Sequence, residues 1–244
     1  MEMERGELHI ALTDFMKQAY SLQEICKDTL QRCYENERIT LPVDIEKVVR
    51  SLGIKLKSTD LNFGANDGID SIIARLRYEK GGTATIFVNE EEDTDITKPY
   101  SDLQKYAIAY ELGKLIIGEE NGRKVSEMKP EEINRWNMTS VPYSLPRLYA
   151  QWESFTYEMC AIFLLLPLDL FLDEFLSYIE DAREYPVKMD KWIKYLSDKA
   201  GIPNYQLING YQYIKFCAYQ YYQEKYQIGA AEAINGIDYR DLYR

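Results

Sequence analysis

The run AIFLLLPLDLFL, Ala161 to Leu172, constrains this chain more than any other stretch. It is too short to cross a bilayer, which takes about 20 consecutive apolar residues, and Pro167 and Asp169 interrupt it. A segment this apolar that does not span lipid belongs in a protein core. The pattern leading into it predicts a long helix from about Leu148 to Leu166, closed by Pro167. The rest of the fold has to supply surfaces that cover that helix.

Other elements follow from periodicity and punctuation. Leu8, Leu12, Phe15, Met16, Ala19, Leu22, Ile25 and Leu30 recur near a 3.6 period, predicting a helix over Leu8 to Cys33. Pro42 precedes a short helix, Asp44 to Leu52, with Gly53 as its stop and a strand starting at Ile54 to Leu56. Turn residues fill NFGANDGI, Asn62 to Ile69. The stretch IDSIIARLRYEKGGTATIFVNEEE reads as a β-hairpin whose second strand is Thr83 to Asn89. An acidic loop then leads to a helix over Leu103 to Ile117, capped by Ser101 or Asp102. Residues 118–147 are polar and turn-rich, a surface excursion with a short helix after Pro130. Helices are expected again over Lys188 to Ala200 and Tyr205 to Tyr226, the second with a tyrosine- and glutamine-rich face that packs or meets a partner.

With 46% hydrophobic and 28% charged residues, the 244-residue chain has the composition of a globular protein. Its formal net charge of -11 repels phosphate backbones, so nucleic acid is not expected as a direct partner unless basic residues cluster locally. A cationic protein partner suits that charge better. MEMERGELHIALTDF, at the start, is acidic and has no sustained apolar core, so neither a secretory signal nor a membrane segment is expected. Cys26, Cys33, Cys160 and Cys217 form no CxxC pair and read as reduced structural thiols of a cytoplasmic protein. The single histidine, His9, excludes any mechanism within one chain that needs two.

That count bears on YAIAYELGKLII, Tyr106 to Ile117. The stretch has the rhythm of a zinc-protease helix, in which His-Glu-x-x-His sets two imidazoles one turn apart and the glutamate polarises water. Here Tyr110 and Lys114 stand at the histidine places, with Glu111 beside them. A protonated lysine has three donors and no lone pair, and tyrosine is an uncommon ligand.

The order of LPVDIEKVVRSLGIKL, a hairpin ending in IFVN, QKYAIAYELGKLII and a helix closing in FLLLP resembles the ImmA/IrrE family of metallopeptidase-like proteins. The resemblance runs from about Leu41 to Phe175, with a weaker likeness in WIKYLSDKAGIPNYQLINGYQYIKF. It implies an α+β, mostly helical fold. A zincin-like core carries a small sheet or hairpin packed on the active-site-type helix, followed by a C-terminal helical segment. It divides the chain into an N-terminal helical segment (1–40), the core (41–180) and a helical tail (181–244).

Carried across residue by residue, the resemblance puts the family's first histidine on Tyr110, its water-activating glutamate on Glu111 and its second histidine on Lys114. Its third ligand falls on Thr156, while Glu153 and Glu158 lie off register on the same helix as candidate cleft carboxylates. All three ligand positions are substituted, so no metal and no cofactor are expected; the family's zinc is lost. With Glu111 deprived of a dication, Lys114 is expected to occupy the former metal volume and to pair with Glu111 or Glu158, and Tyr110 to fill an imidazole's space. The resemblance thus implies a catalytically degenerate, cytoplasmic protein that binds a protein or peptide and has a regulatory role. One such partner is a helix-turn-helix repressor in a phage or mobile-element setting. Two enzymatic alternatives stand beside it. One is a metal-dependent peptidase with Tyr110, Glu111, Glu153 and Glu158 around a hard cation. The other is a Tyr-x-x-x-Lys oxidoreductase, for which FGANDG and EKGGTAT are the only candidate phosphate loops.

Overall fold

A computed structural model describes residues 21–35, 37–61, 72–79, 83–90, 100–120, 152–170, 172, 189–208, 210 and 214. Within them the chain is α+β and mostly helical, with one small sheet. In chain order, α1 (21–34) precedes α2 (Ile45–Ser51), β1 (Lys55–Thr59), β2 (Ala74–Tyr78) and β3 (Ala84–Asn89). Then come α3 (Asp102–Glu120), α4 (Trp152–Leu165), a single 3₁₀ turn (Leu168–Leu170), α5 (Met189–Ala200) and α6 (204–208).

Local chemistry sets the boundaries. Asp44 caps α2, its carboxylate accepting from the Lys47 N–H at 2.9 Å, while its own N–H donates to the Tyr34 hydroxyl at 3.1 Å. At the other end Gly53 takes a left-handed φ of 71°. The Gly53 N–H then donates to Arg50 O and the Ile54 N–H to Val49 O, closing the helix in a Schellman arrangement and releasing the chain into β1. Ser101, not Asp102, caps α3. Its hydroxyl accepts from the Gln104 N–H at 3.3 Å, and the Gln104 side-chain oxygen accepts from the Ser101 N–H at 2.8 Å. The Gln104 amide also donates to Asn89 O at 2.8 Å, tying the start of α3 to the end of β3.

The sheet has the order β1-β3-β2. β2 and β3 pair antiparallel, as the expected hairpin requires, with Leu76 opposite Ile86. β1 joins the other side of β3 in parallel, Lys57 opposite Phe87, a pairing that hairpin chemistry alone does not predict. Alternation turns Leu76, Ile86 and Val88 inward, where they are buried, and β2 and β3 lie against α3.

On the far side, α3 packs along α4. Gly113 permits the approach: a Cβ there would stand 2.9 Å from the Cys160 Cβ and 3.3 Å from Tyr157 O. The apolar run ending at Leu172 is core as expected, with Ala161 to Leu166, Leu168 and Leu172 all buried. One hydrophobic cluster joins Leu22, Cys26 and Leu30 of α1 to this centre, and Ile193, Leu196, Leu207 and Ile214 from the C-terminal stretch. Cys26, Cys33 and Cys160 are free and buried, and the Cys26 thiol donates to Cys160 O at 3.7 Å. Among the described residues, no helix is long and apolar enough to cross a membrane. His9, Cys217, the helix expected after Pro130, residues 8–20 of the first helix, residues 148–151 ahead of α4 and most of the tyrosine-rich stretch lie outside the described residues.

Candidate functional site

The residues singled out on α3 come together beneath the sheet. Tyr110, Glu111 and Lys114 are all buried, although two of the three carry formal charge. The Lys114 ammonium stands 2.5 Å from Glu111 Oε1, and both side chains are only 6% exposed. Glu111 Oε2 accepts a second bond, at 2.9 Å, from the backbone N–H of Leu76 on β2. The i,i+3 spacing puts the charges on one helix face, and the position of α3 under β2 brings the strand's amide within reach.

β2 is an edge strand of the described sheet. In the antiparallel pairing of β2 with β3, the Glu79 N–H donates to Thr83 O and the Ile73 carbonyl accepts from the Asn89 N–H; bonded pairs recur at every second residue from these, so Leu76 presents its N–H to the open side. Glu111 receives it there. Both carboxylate oxygens are thus engaged by donors, one a cation and one a backbone amide. Burial pulls the Lys114 pKa below the ordinary lysine value; Glu111 opposes that shift, and the positive charge of Arg75 adds to it.

The aromatic surroundings are specific. The Lys114 ammonium lies 5.0 Å from the centroid of the Tyr110 ring. Tyr110 in turn meets Tyr157 of α4 edge to face, at 6.0 Å between centroids and 83° between planes. Thr156, the third position singled out by the sequence resemblance, is buried next to Tyr157 in the chain. Glu158 serves a different neighbourhood. Burial pushes its pKa up to about 7; burial first, and then the Glu158 charge, raise the pKa values of Tyr106 on α3 and Tyr205 on α6. Of the two carboxylates considered as partners for Lys114, the structure pairs it with Glu111. The side chain of Glu153 lies outside those described.

The sequence expectation missed three participants: the Leu76 amide, the Arg75 charge and the Tyr157 ring. The first two depend on the depth at which the hairpin lies over α3, which no spacing in the sequence reports. Tyr157 could have been found from the contact of α3 with α4, since Gly113 marks the place of closest approach.

The donor chemistry of this cluster does not fit a zinc ion. Lys114 as an ammonium has no lone pair, Glu111 is held by two donors, and Thr156 offers a weak hydroxyl. Among the described residues, no three of the His, Cys, Asp and Glu side chains are grouped as metal ligands. No protein-family model matches this chain, and no curated protein matches it either.

Proposed function

We propose that the chain is a catalytically degenerate ImmA/IrrE-type protein that keeps a zincin-like core for binding a protein or peptide rather than for cutting one. The observation that carries this reading is the engagement of Glu111. In the resemblance its carboxylate polarises the attacking water; here one oxygen holds the Lys114 ammonium and the other the Leu76 amide. A carboxylate fixed in this way has a cation at hand that replaces a dication electrostatically, but it has no free water-facing role.

The arrangement of the elements supports the same reading. The helix bearing YELGK lies under a small sheet with an antiparallel edge strand, and a second apolar helix packs along it through Gly113. Loss of hydrolysis with retention of this frame leaves recognition as the role: a regulatory, cytoplasmic protein whose partner is a helix-turn-helix repressor in a phage or mobile-element setting.

Three measurements on the purified chain test this. Metal analysis is expected to give well under one divalent ion per chain, and added zinc is expected to yield no peptide hydrolysis. Co-purification from the native host should bring down a DNA-binding repressor intact. Stoichiometric zinc, or cleavage of the captured partner, would overturn the reading in favour of a peptidase with rebuilt ligands.

A further inference from the structure

The outer face of the sheet meets the Glu111 cluster only through the charge of Arg75, which Lys114 feels. Strand alternation places Lys55 and Lys57 of β1, Thr85 and Phe87 of β3, and Arg75 and Arg77 of β2 on it. Cross-strand register arranges them in two rows: Lys57–Phe87–Arg75, and Lys55–Thr85–Arg77. Four cations therefore frame one aromatic ring on a chain whose formal net charge is -11.

The cations are accessible. The Lys55 and Lys57 side chains are 55% and 47% exposed, Arg77 is exposed, and Phe87 and Arg75 are half-buried. Lys57 and Arg77 stand over the Phe87 ring, at 5.7 and 5.5 Å from its centroid. Among the described residues the one carboxylate on this face is Glu79, at the hairpin end, 2.5 Å from Lys57 and 3.6 Å from Lys55. Four cations less that one carboxylate leave three positive charges. Arg75 sits at the open edge, near enough to Lys114 to be felt by it.

We infer that this face binds a short single-stranded nucleic acid, with Phe87 as the stacking platform and Lys55, Lys57, Arg75 and Arg77 holding the phosphates. Among the described residues this face presents a half-buried aromatic ring among cations, with Thr85 beside it fully buried, and that matches what unpaired bases require: a π-face to stack on and charge for the backbone on either side. An acidic peptide would engage the cations alone, whereas a base can take the place over the Phe87 ring that Lys57 and Arg77 hold in the free chain while those cations turn to the phosphates, so a ring among the cations favours a base. The overall acidity does not forbid it. Charges elsewhere on the surface are screened over about 8 Å at physiological salt, so the local balance governs contact. The acidic composition disfavours nucleic acid only while basic residues are dispersed, and on this face they are not. The strand length, about 20 Å for β3, limits the site to a few nucleotides.

Fluorescence anisotropy with a labelled oligothymidylate tests the inference. Binding should weaken as salt is added, with a log–log slope of about -2 for three neutralised phosphates. Phe87→Leu, which keeps an apolar side chain on the strand, should weaken binding roughly five- to hundredfold, the range for losing one stacked base. The Lys57→Gln/Arg77→Gln pair, which keeps part of each aliphatic stem beside Phe87, should weaken binding and flatten the salt slope. Lys191→Gln on α5 should leave affinity within about twofold. Three results would each overturn the inference: no binding at low salt, affinity unchanged by Phe87→Leu, or displacement by poly-glutamate as effective as by unlabelled oligothymidylate. The last would reassign the face to an acidic polypeptide.

Discussion

Lys114 concentrates the energetics of the buried cluster in one side chain. Taking an ammonium and a carboxylate out of water is costly, and their attraction offsets that cost only while both are present. Lys114→Met would leave Glu111 buried with a single amide donor. The expected loss is about 3–5 kcal/mol, the range for stranding one member of a buried pair. Adding Glu111→Gln should recover much of it, because the neutral amide still accepts from Leu76 and needs no cation. Urea unfolding of the wild type, both single variants and the double variant measures this coupling. If Lys114→Met cost no more than an exposed ion pair does, under about 1 kcal/mol, the cluster would not be the buried pair described.

At the scale of elements, Gly113 and Ser101 decide how α3 sits. Gly113→Ala improves helix propensity by up to about 1 kcal/mol in isolation. In this fold, the new methyl would press on the Cys160 Cβ at 2.9 Å and on the Tyr157 backbone, neither of which is the end of a flexible side chain. The net effect is expected to be destabilising by about 1–3 kcal/mol, read as a lower melting temperature. A melting temperature equal to or above that of the wild type would mean α3 and α4 can separate at little cost. Ser101→Ala removes one half of the capping box and should cost about 1 kcal/mol, measured in the same way.

These elements also show what could be read from sequence. The Ser101–Gln104 box, the Asp44 cap and the Gly53 stop are local chemistry, so a one-dimensional pattern reveals them. The apolar run ending at Pro167 announced its own burial. The parallel pairing of β1 with β3 was not legible, since it joins strands on either side of β2 and no turn motif encodes it. For the same reason the Leu76 amide was missed although Glu111, Lys114 and Tyr110 were found. A helix spacing defines which side chains share a face, but not which strand lies above them.

At the scale of the whole molecule, Glu158 couples separate parts of the chain through one proton. It projects from α4 into a neighbourhood shared with Tyr106 of α3 and Tyr205 of α6, where burial raises its pKa to about 7. The unfolded chain gives that proton up near the ordinary carboxyl value, about 4.3. Between those values the native state holds more protons than the unfolded one, so stability falls as pH rises. Glu158 exacts no penalty below about pH 4, where both states are protonated. Its full cost, roughly 3–4 kcal/mol, is reached once the pH has passed the folded value of about 7. Other carboxylates titrate over the same range, so the informative quantity is the difference between wild type and Glu158→Gln. That variant should be more stable than wild type at pH 8, and the advantage should shrink steadily towards pH 5. Because Tyr205 belongs to α6, the same titration should weaken the seating of the C-terminal stretch, giving faster amide exchange at Leu207 at pH 8 than at pH 5 after correction for the intrinsic pH dependence. A stability difference that did not change with pH would mean Glu158 reaches water freely in the folded chain, and that α3, α4 and α6 do not close over it.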